Sequence, residues 1–137
     1  MSSPAAFNTI HDYLVTQWGA TTPLIFENEP FPLPNVPAPW VMVEIYGDFF
    51  DQVSIGAAPV TSNLWREEGQ LLMHVMTPGN TGTSLARIYA KQLVDLFRGQ
   101  EISGVRFRDS SIGHSAAGKH DGSYYRMSAI IDWQRDE

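Results

Sequence analysis

A chain of 137 residues has room for one domain and one hydrophobic core, burying roughly two-thirds of the surface that it exposes when unfolded. Hydrophobic residues at 43% and charged residues at 18% belong to a folded soluble protein, and zero cysteines exclude disulfides and thiolate metal sites. A formal charge of -6, with Lys91 and Lys119 the two lysines, offers no basic stripe for gripping nucleic-acid phosphates.

The N-terminus lacks the basic and apolar regions of a signal peptide, and no apolar run nears the length of about 18 residues that spans a bilayer. The expectation is a protein made in the cytoplasm that stays soluble. Ser2 and Ser3 are capping types and Pro4 suits a first helical position. Phe7, Ile10, Leu14, Val15 and Trp18 then recur at helical spacing until Gly19, which predicts an amphipathic helix over 4–18 with His11 on its apolar side. The short apolar run Leu24-Ile25-Phe26 precedes Pro30, Pro32, Pro34, Pro37 and Pro39. So many prolines exclude helix and central strand and predict an extended surface crossing.

From Trp40 to Tyr46 the pattern alternates, with Val41, Val43 and Ile45 on one face, as in a half-buried strand. Gly47-Asp48 is a turn signal, so Phe49 to Ile55 reads as the returning arm of a hairpin and 56–63 as a loop. Trp65 to Met76 reads as a long strand. After Pro78-Gly79-Asn80 a second helix is predicted over 83–98, with a stripe of Leu85, Ile88, Tyr89, Leu93, Leu96 and Phe97 and Gly99 as its stop. Ile102 to Arg108 is a strand with Arg106 and Arg108 facing away from Val105 and Phe107. Residues 109–123 read as a mobile loop with a short strand around 111–113, and Tyr124 to Trp133 closes the domain as a strand. The order of elements favours an α+β fold, a mainly antiparallel sheet with two amphipathic helices on one face.

A search for chemistry returns little. The sequence holds no Walker glycine loop, no strand–GxGxxG–helix unit and no GxSxG elbow. His114, His120 and Asp121 share the glycine-rich loop, but the histidine spacing matches no standard zinc pattern, so they read as solvated residues. His11 and His74 read as packing or hydrogen-bonded histidines. Glu67 and Glu68, adjacent on a strand, point to opposite faces and form no acid–base dyad; a charged edge is the stronger reading. The expectation is no catalysis, no cofactor and no metal. What remains is surface: Phe49, Phe50, Trp65 and one of Tyr124 and Tyr125 lie off the core, and several such aromatics together suggest a contact patch.

Three segments carry a resemblance along the whole chain. They are Phe26-Glu27-Asn28-Glu29-Pro30-Phe31 running to Pro39-Trp40-Val41-Met42-Val43-Glu44; Gly69 to Met76 running into Pro78-Gly79-Asn80-Thr81-Gly82; and Gly122 to Trp133. In this order they resemble the tail-terminator family of long-tailed phages and gene transfer agent-like particles. The resemblance implies a structural virion protein, assembled in the host cytoplasm. It would form a hexameric ring on the head-proximal end of the tail tube, stop its polymerisation and offer a head-joining surface. The partners implied are further copies of the chain, the major tail tube protein and a head–tail connector or stopper protein; DNA would pass the lumen without specific binding, and no membrane is involved.

On that reading the ring contacts are expected at the hairpin 47–55, the strand around Trp65 to Glu68 and the arginines, so at Phe49, Phe50, Trp65, Glu67, Arg106 and Arg108. Contacts along the tail axis are expected on the loops, at Val60, His114, Lys119 and His120. A strongly acidic ring would repel phosphate, with Asp or Glu facing inward and arginines at subunit boundaries. The alternatives are another neck or tail-completion protein, or a small-ligand binding domain whose pocket lies under the proline segment between Trp40 and Trp65.

Overall fold

The computed structural model describes residues 2–113, 119–121 and 124–137. Helix α1 (Pro4–Trp18) begins where the sequence predicts. Ser3 is its N-cap, accepting a hydrogen bond from the Ala6 amide, Pro4 opens the first turn, and Gly19 ends the helix at a φ of 57°. Ala6, Ile10, Leu14 and Trp18 bury one stripe of it, whereas Val15, expected on that stripe, is exposed. His11 lies half-buried against the Phe26 ring, with centroids 4.4 Å apart.

The sheet is built from β1 (Leu24–Phe26), β2 (Trp40–Gln52), β3 (Trp65–Pro78), β4 (Glu101–Ile102), β5 (Val105–Ile112), β6 (Lys119–Asp121) and β7 (Tyr124–Asp136). Its order is β1-β2-β3-β7-β5-β4, with β6 also on β7, and all pairings but the parallel β1–β2 pair are antiparallel. Helix α2 (Ser84–Phe97) lies between β3 and β4 in the chain. The fold is α+β, and both helices share one core with a single sheet face: Val41, Val43, Ile45, Leu71, Met73, Val75, Met127, Ala129, Ile131 and Trp133 alternate into it.

The sequence reading needs correction at three places. Gly47-Asp48 does not turn the chain. β2 runs straight through it to Gln52 with a bulge between Gly47 and Phe49, and its partner throughout is β3. The reason is Gly69, which faces Gly47 across the ladder. A Cβ on Gly69 would lie 1.8 Å from the Tyr46 carbonyl oxygen, so the two glycines permit a close backbone approach there. The hairpin therefore turns at 53–64.

The second correction concerns α2, which buries Ala86, Ala90, Leu93, Val94 and Phe97 and leaves Leu85 and Ile88 exposed. Small alanines let its first turns approach the sheet closely, so the buried stripe is rotated from the one that the larger side chains suggest. Third, Asp109 to Ile112 belong to β5 and not to a loop, after a second bulge between Phe107 and Ser110. Lys119–Asp121, also expected in that loop, form β6 on β7, and 114–118 and 122–123 lie outside the described residues. Among the described residues no helix is long and apolar enough to cross a membrane.

Candidate interaction surface

Beyond Gly47 strand β2 leaves the cover of the helices, although Glu67 beside it on β3 stays under α1. From Asp48 to Val53 every residue is exposed, so both faces of β2 meet solvent. Phe49 and Phe50 are half exposed, Ile55 is 90% exposed, and Val53, Val60 and Leu64 are also exposed. This apolar arm is well built. The Val53 amide donates to the Leu64 carbonyl (2.8 Å), and the Leu64 amide donates to Ser54 Oγ (2.6 Å). Buried Asn63 accepts from the Ala57 amide through Oδ1 (3.0 Å), next to a 3-10 turn over Val60–Ser62. A tip satisfied by its own hydrogen bonds presents its apolar side chains at low ordering cost, the arrangement that favours docking to another protein.

The root of the arm is fixed by charge. Arg66 grips Asp136 through Nε (2.6 Å) and Nη2 (2.9 Å), and Arg106 Nη2 donates to the same carboxylate (2.8 Å). The Arg66 hydrogen bonds, helped by both guanidinium charges, hold the Asp136 carboxyl below the usual carboxylate range. Trp65 and Glu137 exchange backbone hydrogen bonds beside this cluster.

Of the residues expected at subunit contacts, Phe49 and Phe50 are exposed on the arm, Val60 is exposed at its tip and Trp65 is half-buried at its root. Arg106 and Arg108 lie on the sheet face away from the helices. Arg106 is engaged with Asp136, and Arg108 Nη1 donates to Gln134 (3.0 Å). Glu67 does not belong with them. It is 2% exposed and points under α1, where its two oxygens accept from the Ser3 amide and hydroxyl at 2.7 Å each. It anchors the start of the helix, a carboxylate at the positive end of the helix dipole, and is neither an edge charge nor an open contact. Glu67 and Glu68 do point to opposite faces. His114 lies outside the described residues, and Lys119 and His120 are described only as backbone of β6.

The sequence reading missed a polar line across three strands of the open face. Ser128 on β7 meets Nδ1 of buried His74 on β3 (2.6 Å), and His74 Nε2 lies 3.4 Å from Glu44 Oε1 on β2. The Tyr46 hydroxyl donates to the other Glu44 oxygen (2.6 Å), which raises the phenol pKa above its ordinary value. Serine, histidine and carboxylate in a row suggest acyl transfer, but Ser128 is fully buried in mid-strand, so its Oγ presents no face to a substrate. The line instead satisfies polar groups that link β2, β3 and β7.

A ligand pocket between Trp40 and Trp65 is ruled out by register. Trp40 pairs with Met76 and Trp65 with Gln52, so they sit at opposite ends of β2, roughly 40 Å apart along the strand. Trp40 packs between Phe31 of the proline segment and Tyr124. The open face carries a shallow trough of about 330 Å³ lined by Asp48, Glu68, Asp109 and Asp132 with Arg108. Among the described residues no three metal-ligating side chains converge.

No protein-family model and no curated protein matches the chain. A solved structure whose name states no activity is similar at 17% identity with a TM-score of 0.69, covering 98% of this chain and 96% of that one. At that identity the likeness speaks for the fold alone.

Proposed function

We propose that this protein is a structural subunit of a phage-tail-like particle. In this reading it is a tail terminator that assembles with copies of itself into a hexameric ring, capping the tail tube and meeting a head connector. The observation that carries the reading is the arm: six exposed large apolar side chains on one internally bonded hairpin. Such a patch is costly to leave in water and suits a protein whose work is contact. The family resemblance of the sequence supplies the particle, and the net charge of -6 fits a ring that DNA passes without adhering.

The test mixes the purified protein with tail tube protein from its own gene neighbourhood and follows tube length by electron microscopy. A terminator caps ends and arrests growth. Phe49→Ser together with Phe50→Ser is expected to leave the fold intact, lower the oligomer mass by light scattering and release the arrest. Tubes that grow to the same length with and without the protein would remove the terminator reading. An unchanged oligomer mass in the double variant would remove the two phenylalanines from the contact.

A further inference from the structure

The two edges of the sheet are stepped, and the steps face opposite ways. On one edge, β1 covers only Val41 to Val43 of β2. Glu27 caps the next exposed amide, that of Ile45, with its carboxylate, and beyond this point β2 has no outer strand among the described residues. On the other edge, β4 covers only Val105 and Arg106 of β5, the Phe107 amide donates to the Gln100 carbonyl (3.1 Å), and Arg108 to Ile112 have no outer strand among the described residues. The ladder registers show that each projection on one edge is level with a recess on the other. One row runs Phe49, Glu68, Gln134, Arg106, Glu101, and the next runs Phe50, Glu67, Arg135, Val105, Ile102. Near the opposite end a row runs Phe26, Val43, Met73, Ala129, Ile112.

We infer that a second copy of this chain docks edge to edge in the same orientation, as a lap joint. The short β4 of one copy fills the recess beside Phe49 and Phe50 of the next, whose β1 fills the recess beside Ile112. This rests on the self-assembly part of the reading above and specifies the joint it uses.

Three features support a copy of the chain as the occupant. Strand directions are compatible: β1 of one copy would lie antiparallel to β5 of its neighbour, and β4 parallel to β2, so both recessed edges gain backbone partners. The rows also place apolar against apolar on the helix side of the sheet: half-exposed Phe50 beside Ile102, and exposed Ile112 beside the backbone of Phe26, whose ring is already buried against Phe7 and His11. Finally, a contact between unlike edges leaves each copy with one free edge of either kind, so it repeats until rotation closes a ring. A two-fold joint would stop at a dimer. Edges that could template open-ended pairing are thereby consumed in assembly.

The absence of cysteine makes the joint directly testable. Within one copy Phe49 and Glu101 lie on opposite edges, four strand spacings or about 19 Å apart, far beyond disulfide reach. Both side chains are exposed, so cysteine at either leaves the fold intact; because Phe49 belongs to the contact, the wild-type chain is run beside the variant as the measure of assembly. The full chain carrying Phe49→Cys and Glu101→Cys is oxidised, with and without tail tube protein, and read by non-reducing gels and native mass spectrometry. The expected result is a ladder of covalent multimers ending at a closed ring, while each single variant gives none. Covalent dimers from Phe49→Cys alone indicate a two-fold contact and overturn the joint. An oligomer that forms but does not cross-link in the double variant overturns the joint and leaves ring assembly standing. A wild-type chain that stays monomeric in both conditions, with no cross-link in the double variant, overturns both.

Discussion

The β2–β3 ladder is one continuous structure with two kinds of surroundings. From Trp40 to Tyr46 its residues alternate between core and open face, and Val41, Val43 and Ile45 disappear under the helices. From Asp48 onward the same backbone pairing continues, but β2 is exposed on both faces and its phenylalanines stand half in water, while β3 beside it stays covered by β7 and the start of α1. Hydrogen bonding does not distinguish the halves; helix cover does. The first half stabilises the monomer, and the second has apolar surface left to offer a neighbour. Substitutions should therefore separate the halves by what they change. Phe97→Ala, in the core that the two helices share with the sheet, removes a fully buried ring packed against Tyr13 and Phe107. It should cost about 3–5 kcal/mol, read as a lower urea midpoint. A loss below about 1 kcal/mol would mean that the helix contributes little to the covered half.

Gly69 lies at the boundary between the halves, and its substitution sharpens the comparison. The Cβ of Gly69→Ala would meet the Tyr46 carbonyl, which is backbone and cannot swing aside. The expected cost is about 2–3 kcal/mol. Amide exchange should rise first at 47–53 and 65–69, beyond the boundary, while 41–45 stay protected. Equal loosening of both halves would show that the arm is no separate unit.

What could be read from the sequence divides along similar lines. The start of α1 was legible because Ser3, Pro4 and Gly19 act through near neighbours. The core strands were legible because burial on one side imposes a period of two. Gly47-Asp48 misled because its local signal is a turn, whereas its structural meaning depends on Gly69 across the ladder. The stripe of α2 was displaced because alanines carry little weight in a hydrophobic pattern, yet Ala86 and Ala90 set how close the helix packs. The union of Ser128, His74 and Glu44 had no sequence signal, since it exists only once three strands take register. The aromatics of the arm were visible as residues. That Phe49 and Phe50 stand on an uncovered edge strand was not, because exposure on both faces leaves no periodicity to follow.

The smallest expected effect tests the root that holds the arm to the sheet. Asp136 binds Arg66 and Arg106, and in the folded chain its carboxyl titrates below its ordinary value, chiefly through the Arg66 hydrogen bonds. A depressed carboxylate stabilises the fold at pH values above its unfolded pKa of about 3.9, and that contribution is lost as pH falls through the lower, folded value. Asp136→Asn removes the charge at every pH and keeps the shape. The wild type should therefore melt higher than the variant at about pH 6, and the gap should narrow as pH falls below the unfolded value of about 3.9 and close as it passes the lower, folded one. The other carboxylates titrate in both proteins and cancel in the difference. Because the pair is partly exposed, added salt should narrow the gap at about pH 6 as well. A gap that stays unchanged as pH falls from about 6 to well below about 3.9 would mean that Asp136 holds the arm by shape and hydrogen bonding, and that its charge contributes nothing.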